Sequence, residues 1–423
     1  MMIENEKIAS PNQMKRNHTF LTGMYMAINA MQRAYLLMDG PDCAYKKVEL
    51  FDRNHDFLSN MFSREGKHKI SSTVTDVNHV IDERHDKIVD EILKISSVDD
   101  AQAVFLSSEP MVALTGVDYD MLASTAQKKT EKDIISIPYQ SLDKDWLDGY
   151  SFVMESIAKH LELRSDKKKE NTVAVVGFLF DRNEGDNIGN IDELHRVLGL
   201  LSLDVSSIWF SGSDFAGLKA IEEASYIIKM PYGGSAADII AEKTGAEVIT
   251  VGIPFGIRGT QDWIKTIAAK VGKEKDAEEL IEQEMSSVMP LLEWIVPNYI
   301  QGKKVAFAGD PYIAKAFIDA MDDVDAEVSD VVLYSTVDRK ISIDSVGVYY
   351  ETDAVQDLRD IDLAVGHHDS RDIIGSQSRE AFIEFGFPSH TTHFFSVEPY
   401  MGYKGFVLFL NRVINSILKT NHP

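Results

Sequence analysis

The sequence has one cysteine in 423 residues, Cys43, which excludes an internal disulfide. It has no run of eighteen apolar residues, and so no segment that would span a bilayer as a helix. It lacks a Walker-A sequence, so the chain has no P-loop of its own. Bases are scarce beside acids: 43 Lys and Arg stand against 67 Asp and Glu, a formal charge of −24. No basic face is available to neutralise phosphates or to meet an anionic membrane, which argues against nucleic acid and membrane as partners. An acidic surface suits electrostatic docking of a basic protein surface instead. The polar start, MMIENEKIASPNQMKRN, lacks the apolar core of a secretory signal, and the expected compartment is the cytoplasm.

What is present is ample apolar material. With 44% hydrophobic and 9% aromatic residues the chain packs, and its length exceeds a single core, so two or three domains are expected. After a polar arm over 1–17, strand-like and helix-like runs alternate, which calls for parallel sheets with right-handed crossovers. The fold expected is α/β, with three similar doubly wound parallel-sheet domains. A first domain, 18–165, runs from an apolar helix over Phe20–Leu37, broken by Gly40-Pro41, through a strand at Ala103–Leu106 to a helix over Asp148–Leu161. The charged stretch ELRSDKKKEN, 162–171, reads as a solvated linker. A middle domain, 172–300, opens on the buried-strand run TVAVVGF and closes on two amphipathic helices. A C-terminal domain, 301–423, opens on KVAFA and ends in a long helix, Phe406–Leu418.

Three local features offer chemistry. Cys43 lies in a turn after the first apolar run, either as a small buried hydrophobe or as a presented thiolate. The turn Tyr232-Gly-Gly-Ser235 precedes a helix and would suit an anion on helical amides. The segment PSHTTHFF places His390 and His393 in a loop, where they read as satisfied structural groups or as a ligand and proton donor. The acidic loop Asp181–Asn190 lacks the glycine and terminal glutamate of a calcium loop and reads as solvated.

The order of motifs resembles the nitrogenase component 1-type oxidoreductases, which include the protochlorophyllide reductase subunits and cofactor-scaffold relatives. The pieces are MDGPDCAYK for a Gly-Pro-x-Gly-Cys turn, VFLSSEPMVALTGVDYDML, and VAVVGF with IDELHRVLGLLSLDV. GAEVITVGIPFGIRGTQDWI, KVAFAGDPY and FGFPSHTTHFFSVEPYMGYKGFVLFLNRVIN follow. Together they run from about Phe20 to Ile417 in the family's order.

The resemblance implies a subunit paired with a homologous partner, an iron–sulfur cluster at their interface, and an ATP-hydrolysing iron–sulfur reductase that docks and delivers electrons. Cys43 matches the family's first cluster cysteine, and thiolates suit such clusters. The second cysteine position reads as Glu109 or its neighbour Ser108, so Glu109 becomes a candidate oxygen ligand. Where nitrogenase holds its active-site cofactor by a cysteine, YIIKMPYGG offers Lys229 and Met230. His393 lies within about one position of that cofactor's histidine, and with His390 it is expected to line an inter-domain pocket holding the substrate or a further metallocofactor. Two copies of this chain supply two thiolates, so the partner is either a cysteine-richer homologue or a second copy assisted by oxygen ligands. The activity expected is that of a reductase subunit. The alternatives are a non-catalytic cofactor scaffold and a cluster-free binder of a small metabolite.

Overall fold

The computed structural model describes residues 18–42, 44–52, 54–63, 66–75, 84–137, 144–335, 346–350, 361–372, 374 and 381–421. Cys43 and the arm over 1–17 lie outside them.

Three parallel sheets follow one another along the chain. The first segment contains α1 (Phe20–Asn29), β1 (Ala34–Asp39), α2 (Ala44–Phe51), β2 (Ile70–Ser72), α3 (His85–Ser96) and β3 (Ala103–Ser108). It continues through α4 (Pro110–Ala113), α5 (Tyr119–Gln127), β4 (Asp133–Ser136) and α6 (Trp146–His160). Next come β5 (Thr172–Val176), α7 (Gly185–Leu200), β6 (Asp204–Ile208), β7 (Tyr226–Lys229) and α8 (Ala236–Thr244). This stretch closes with β8 (Glu247–Thr250), α9 (Gly256–Val271) and α10 (Glu274–Ile295). The last sheet has β9 (Lys304–Gly309), α11 (Pro311–Asp322), β10 (Glu327–Leu333), β11 (Gly347–Tyr350), β12 (Leu363–Gly366) and β13 (Ala381–Glu384), before α12 (Gly402–Asn421).

The strand orders are β2-β1-β3-β4, β6-β5-β7-β8 and β11-β10-β9-β12-β13. In each, the opening strand is central and the chain reverses direction beside it. Three switch points result, at the carboxyl ends of β1, β5 and β9, where open α/β sheets place ligands. These central strands are buried on both faces, which is why they read as continuous apolar runs. Phe255, at the entry to α9, contacts Phe317 of α11, Phe385, and Phe406 and Phe409 of α12, so one aromatic cluster joins the second and third sheets.

Two expectations are corrected. The apolar run Phe20–Leu37 is not one helix: α1 ends at Asn29, and Arg33 at φ 63° turns the chain into β1. Every residue of α1 and of β1 is buried, so no polar face marks where one periodicity gives way to the other. Gly40 therefore ends a strand, and a Cβ there would sit 2.8 Å from the Cβ of Glu109. The stretch Asp181–Asn190 is not a solvated loop. Asp181, Arg182, Glu184, Asp186, Asn187 and Asn190 are buried at the start of α7, because their charges pair with one another and with distant segments.

Close approach positions α1. A Cβ on Gly23 would fall 1.7 Å from the carbonyl oxygen of Trp146, and one on Gly149 would fall 1.9 Å from that of Phe20. The two glycines thus set α1 directly against α6.

Candidate functional site

The carboxyl ends of β5, β7 and β9, the loop after β13 and α12 enclose a cavity of about 40 Å³. Its wall is built outward from Glu184, which precedes α7 and is fully buried. Its Oε1 accepts the amide of Phe57 at 3.0 Å and Nδ1 of His393 at 2.8 Å, and its Oε2 accepts the amide of Phe394 at 2.8 Å. A carboxylate only accepts, so Nδ1 of His393 carries a proton. One buried charge thereby ties the first segment, the second sheet and the late histidine loop together.

Arg182 faces the same carboxylate at 3.6 Å and grips Asp186 through Nε, at 3.2 and 3.1 Å, and Nη2, at 2.6 Å. Its Nη1 donates to the carbonyl of Thr392 at 2.9 Å. Burial opposes the charge of Arg182, but Asp186 and Asp181 outweigh it and push its pKa further up. His55 is fully buried: its Nδ1 accepts the amide of Ser389 at 2.9 Å, so Nε2 bears the proton and points at Asp181, 3.2 Å from the backbone oxygen and 3.4 Å from Oδ2. Asn187 donates to Asp181 at 2.6 Å. Against burial, which raises it, the contact with His55 and these neighbours hold the Asp181 carboxyl below its ordinary value.

Glu384, at the end of β13, accepts from the hydroxyl of Ser389 at 2.8 Å, the amide of Thr391 at 3.0 Å, and the amide of His390 and hydroxyl of Thr391. Burial alone would raise its pKa; the hydrogen bonds from Thr391, Ser389 and His390 win and hold it at about 2. Neither His390 nor His393 is among the residues lining the cavity. Each reaches it through one carboxylate that does, or that braces the wall: His390 through Glu384, His393 through Glu184. Glu384 holds the loop by the amides of His390 and Thr391, and Glu184 holds it by the amide of Phe394 and the ring of His393.

Glu109 lies elsewhere, at the carboxyl end of β3. It is buried, and its amide donates to the carbonyl of Asp39 at 2.9 Å. Next to it a polar network fills the first switch point: Asp39 accepts from Arg84 at 2.6 Å, Thr73 at 2.7 Å and Tyr119 at 2.8 Å. The turn Tyr232–Ser235 does not await an anion, since the amide of Ser235 already donates to Glu155 at 2.8 Å.

Neither group expected from the resemblance is completed by these residues. Among the described residues no thiolate is present, Glu109 is the one residue expected from the resemblance at an interface cluster, and no group of three or more His, Cys, Asp or Glu is arranged to hold a metal ion. The cleft, about 40 Å³ or room for about three waters, has no thiol among the described residues that line it.

Sequence reading missed Glu184, Arg182, His55, Glu384 and Arg412. Arg182 and Asp186 at i,i+4 signalled a helix start, and Arg412 is the one charge between Gly405 and Ile414, a visible anomaly in an apolar helix.

An open α/β architecture with three parallel sheets and ligand-side switch points defines the class. Over its whole length it superposes on the solved structure titled Nitrogenase Cp1 at pH 6.5 with a TM-score of 0.78 at 17% identity, covering 99% of this chain and 95% of that one. Residues 19–418 match the family described as nitrogenase component 1 type oxidoreductase, and the chain belongs to that family. It is 23% identical over 241 residues to the nitrogenase molybdenum-iron protein beta chain of Acidithiobacillus ferridurans, covering 49% of this chain and 44% of that protein. It is 25% identical over 224 residues to the light-independent protochlorophyllide reductase subunit N of Roseiflexus castenholzii, covering 53% and 50%. The matched segments thus span about half the length of each of these two relatives. Among the described residues no helix is long and apolar enough to cross a membrane.

Proposed function

We propose that this chain is the cysteine-poor subunit of a nitrogenase-like two-component reductase. The observation that carries the reading is the family match over residues 19–418, which leaves only the terminal segments outside it. In this reading the subunit pairs with a cysteine-richer homologue, or with a second copy of itself, and an ATP-hydrolysing iron–sulfur reductase docks on the pair. Cys43 and Glu109 would contribute to a cluster completed by the partner, and that cluster would supply low-potential electrons.

The remaining chemistry belongs to the cleft. His393 holds a proton at Nδ1 against Glu184, and Tyr400 keeps its phenolic proton because burial and the carboxylates of Asp181, Asp186 and Asp310 push its pKa well up. Arg182 and Asp186 form part of the wall as a buried ion pair. Substrate reduction consumes protons as well as electrons, and in this reading His393, whose ring bonds Glu184, supplies them, with His390 as a second candidate. No step is assigned to a resident metallocofactor.

The test is iron and acid-labile sulfide per chain after anaerobic purification, with and without a co-expressed cysteine-rich homologue, repeated on Cys43→Ala. Iron bound in the pair and lost in the variant is the expected result. Iron absent from every preparation, with Cys43→Ala unchanged in assembly, rejects the reading and leaves the metabolite-binding alternative.

A further inference from the structure

Arg412 enters the cleft from α12. Its guanidinium rests on the ring of Phe394, 4.8 Å from the centroid, and that of Arg182 lies 5.2 Å from the same centroid. Nη2 of Arg412 donates to the backbone oxygen of Glu384 at 2.8 Å. Among the described residues no carboxylate pairs with it, whereas Arg182 is held by Asp186. Burial, with Arg182 nearby, outweighs the surrounding acids and pushes the Arg412 pKa down to about 10.

The other polar groups of the cleft are taken. Asp186 is bound to Arg182, Asp181 to His55 and Asn187, and Glu384 to its own loop. Asp310 is held by Tyr232 and by the amides of Tyr312 and Ile313, and Glu398 by Ser396. Apart from the second oxygen of Glu398, what remains is donors: the spare N–H groups of Arg412 and the hydroxyl of Tyr400, which has no hydrogen-bond partner among the described residues. A cationic ligand would meet carboxylates already occupied and two guanidinium groups. A ligand oxygen with negative charge would meet the unfilled donors.

We propose that the Arg412 end of this cleft is a subsite for the carboxylate group of an organic acid, received by the Arg412 guanidinium and the Tyr400 hydroxyl. A guanidinium offers a planar fork that matches a carboxylate. A cavity of 40 Å³ takes that group with its first carbon, in place of about three waters, while the rest of the ligand lies outside it. The inference rests on reading the cleft as the substrate site, and names the chemical class that site accepts.

The test uses acetate and its neutral isostere acetamide on the full-length protein at matched ionic strength, read by ligand-observed NMR. Acetate is expected to bind saturably and at least about tenfold more tightly than acetamide, the ratio a charged hydrogen bond commands. Arg412→Gln should weaken acetate by roughly tenfold to a hundredfold. Glu398→Gln, which removes an opposing charge from the wall, should tighten it. Acetamide binding as well as acetate, an undiminished acetate affinity in a folded Arg412→Gln, or no gain in Glu398→Gln overturns the subsite. The acetate contrast and Glu398→Gln decide it even if Arg412→Gln fails to fold. Acetate binding is read separately from iron content, so loss of one with retention of the other shows which proposal has failed.

Discussion

Replacing Glu184 by alanine removes the acceptor for three hydrogen bonds at once, from Phe57, His393 and Phe394, donors 127, 209 and 210 residues away in sequence. It also leaves Arg182, 6% exposed, without one of the two carboxylates it pairs with. Deleting one member of a buried charge network costs about 3–5 kcal/mol, because the partners left behind stay desolvated. For a cooperative unit of 150–250 residues this corresponds to a fall of roughly 6–20 °C in melting temperature. Glu184→Gln keeps the shape and one acceptor but turns an NH₂ group towards N–H donors, so about 2 kcal/mol is expected. The same substitution on the exposed surface, Glu131→Ala, should stay within about 0.5 kcal/mol. Calorimetry gives the ranking, and hydrogen exchange gives the location: the amides of Phe57 and Phe394 should lose protection in both Glu184 variants, while those of β1 and β5 keep theirs. A Glu184→Ala protein that melts with the Glu131→Ala control, or that exchanges evenly across all three sheets, would refute the view that this carboxylate holds the junction together.

Acid should act through Glu384. Its pKa lies below its unfolded value of 4.5, at about 2, so it stabilises the fold above pH 4.5 and that contribution disappears as pH falls from 4.5 through 2. Partial solvent screening reduces the effect to about 2 kcal/mol. Glu384→Gln should therefore be less stable at neutral pH and show a flatter acid limb; an unchanged slope between pH 4.5 and 2 would contradict the assignment. Gly23→Ala should separate α1 from α6, since the new Cβ would meet the Trp146 carbonyl at 1.7 Å, a distance no side-chain adjustment relieves. A loss of at least about 3 kcal/mol is expected in chemical denaturation, and a midpoint equal to wild type would show that α1 can shift freely.

Parallel strands and the helices that cover them were legible locally. The runs at Ala103–Ser108, Thr172–Val176 and Lys304–Gly309 are apolar because both faces of a parallel strand are covered, and the polar stripe of α9 marks its exposed side. The family's motifs, in order from Phe20 to Ile417, also lie within the one-dimensional sequence. The helix-to-strand change inside Phe20–Asp39 was not legible, since complete burial erases the periodicity that separates them.

The residues of the cleft were hidden for a different reason. Asp181, Arg182, Glu184 and Asp186 carry a composition that belongs in water, and only distant donors make their burial affordable: His55 lies 126 residues from Asp181, and Thr392 lies 210 from Arg182. His390 and His393 were visible as histidines, but their orientation depends on Glu384 and Glu184. By itself, then, the sequence determined the family, the α/β alternation and the cysteine-poor character of the chain, all of which depend on residue type and local order. Tertiary structure decided which charges are paired, which guanidinium is left without a carboxylate, and which way the histidine loop faces. Those outcomes depend on contacts between segments more than a hundred residues apart, and local periodicity carries no trace of them.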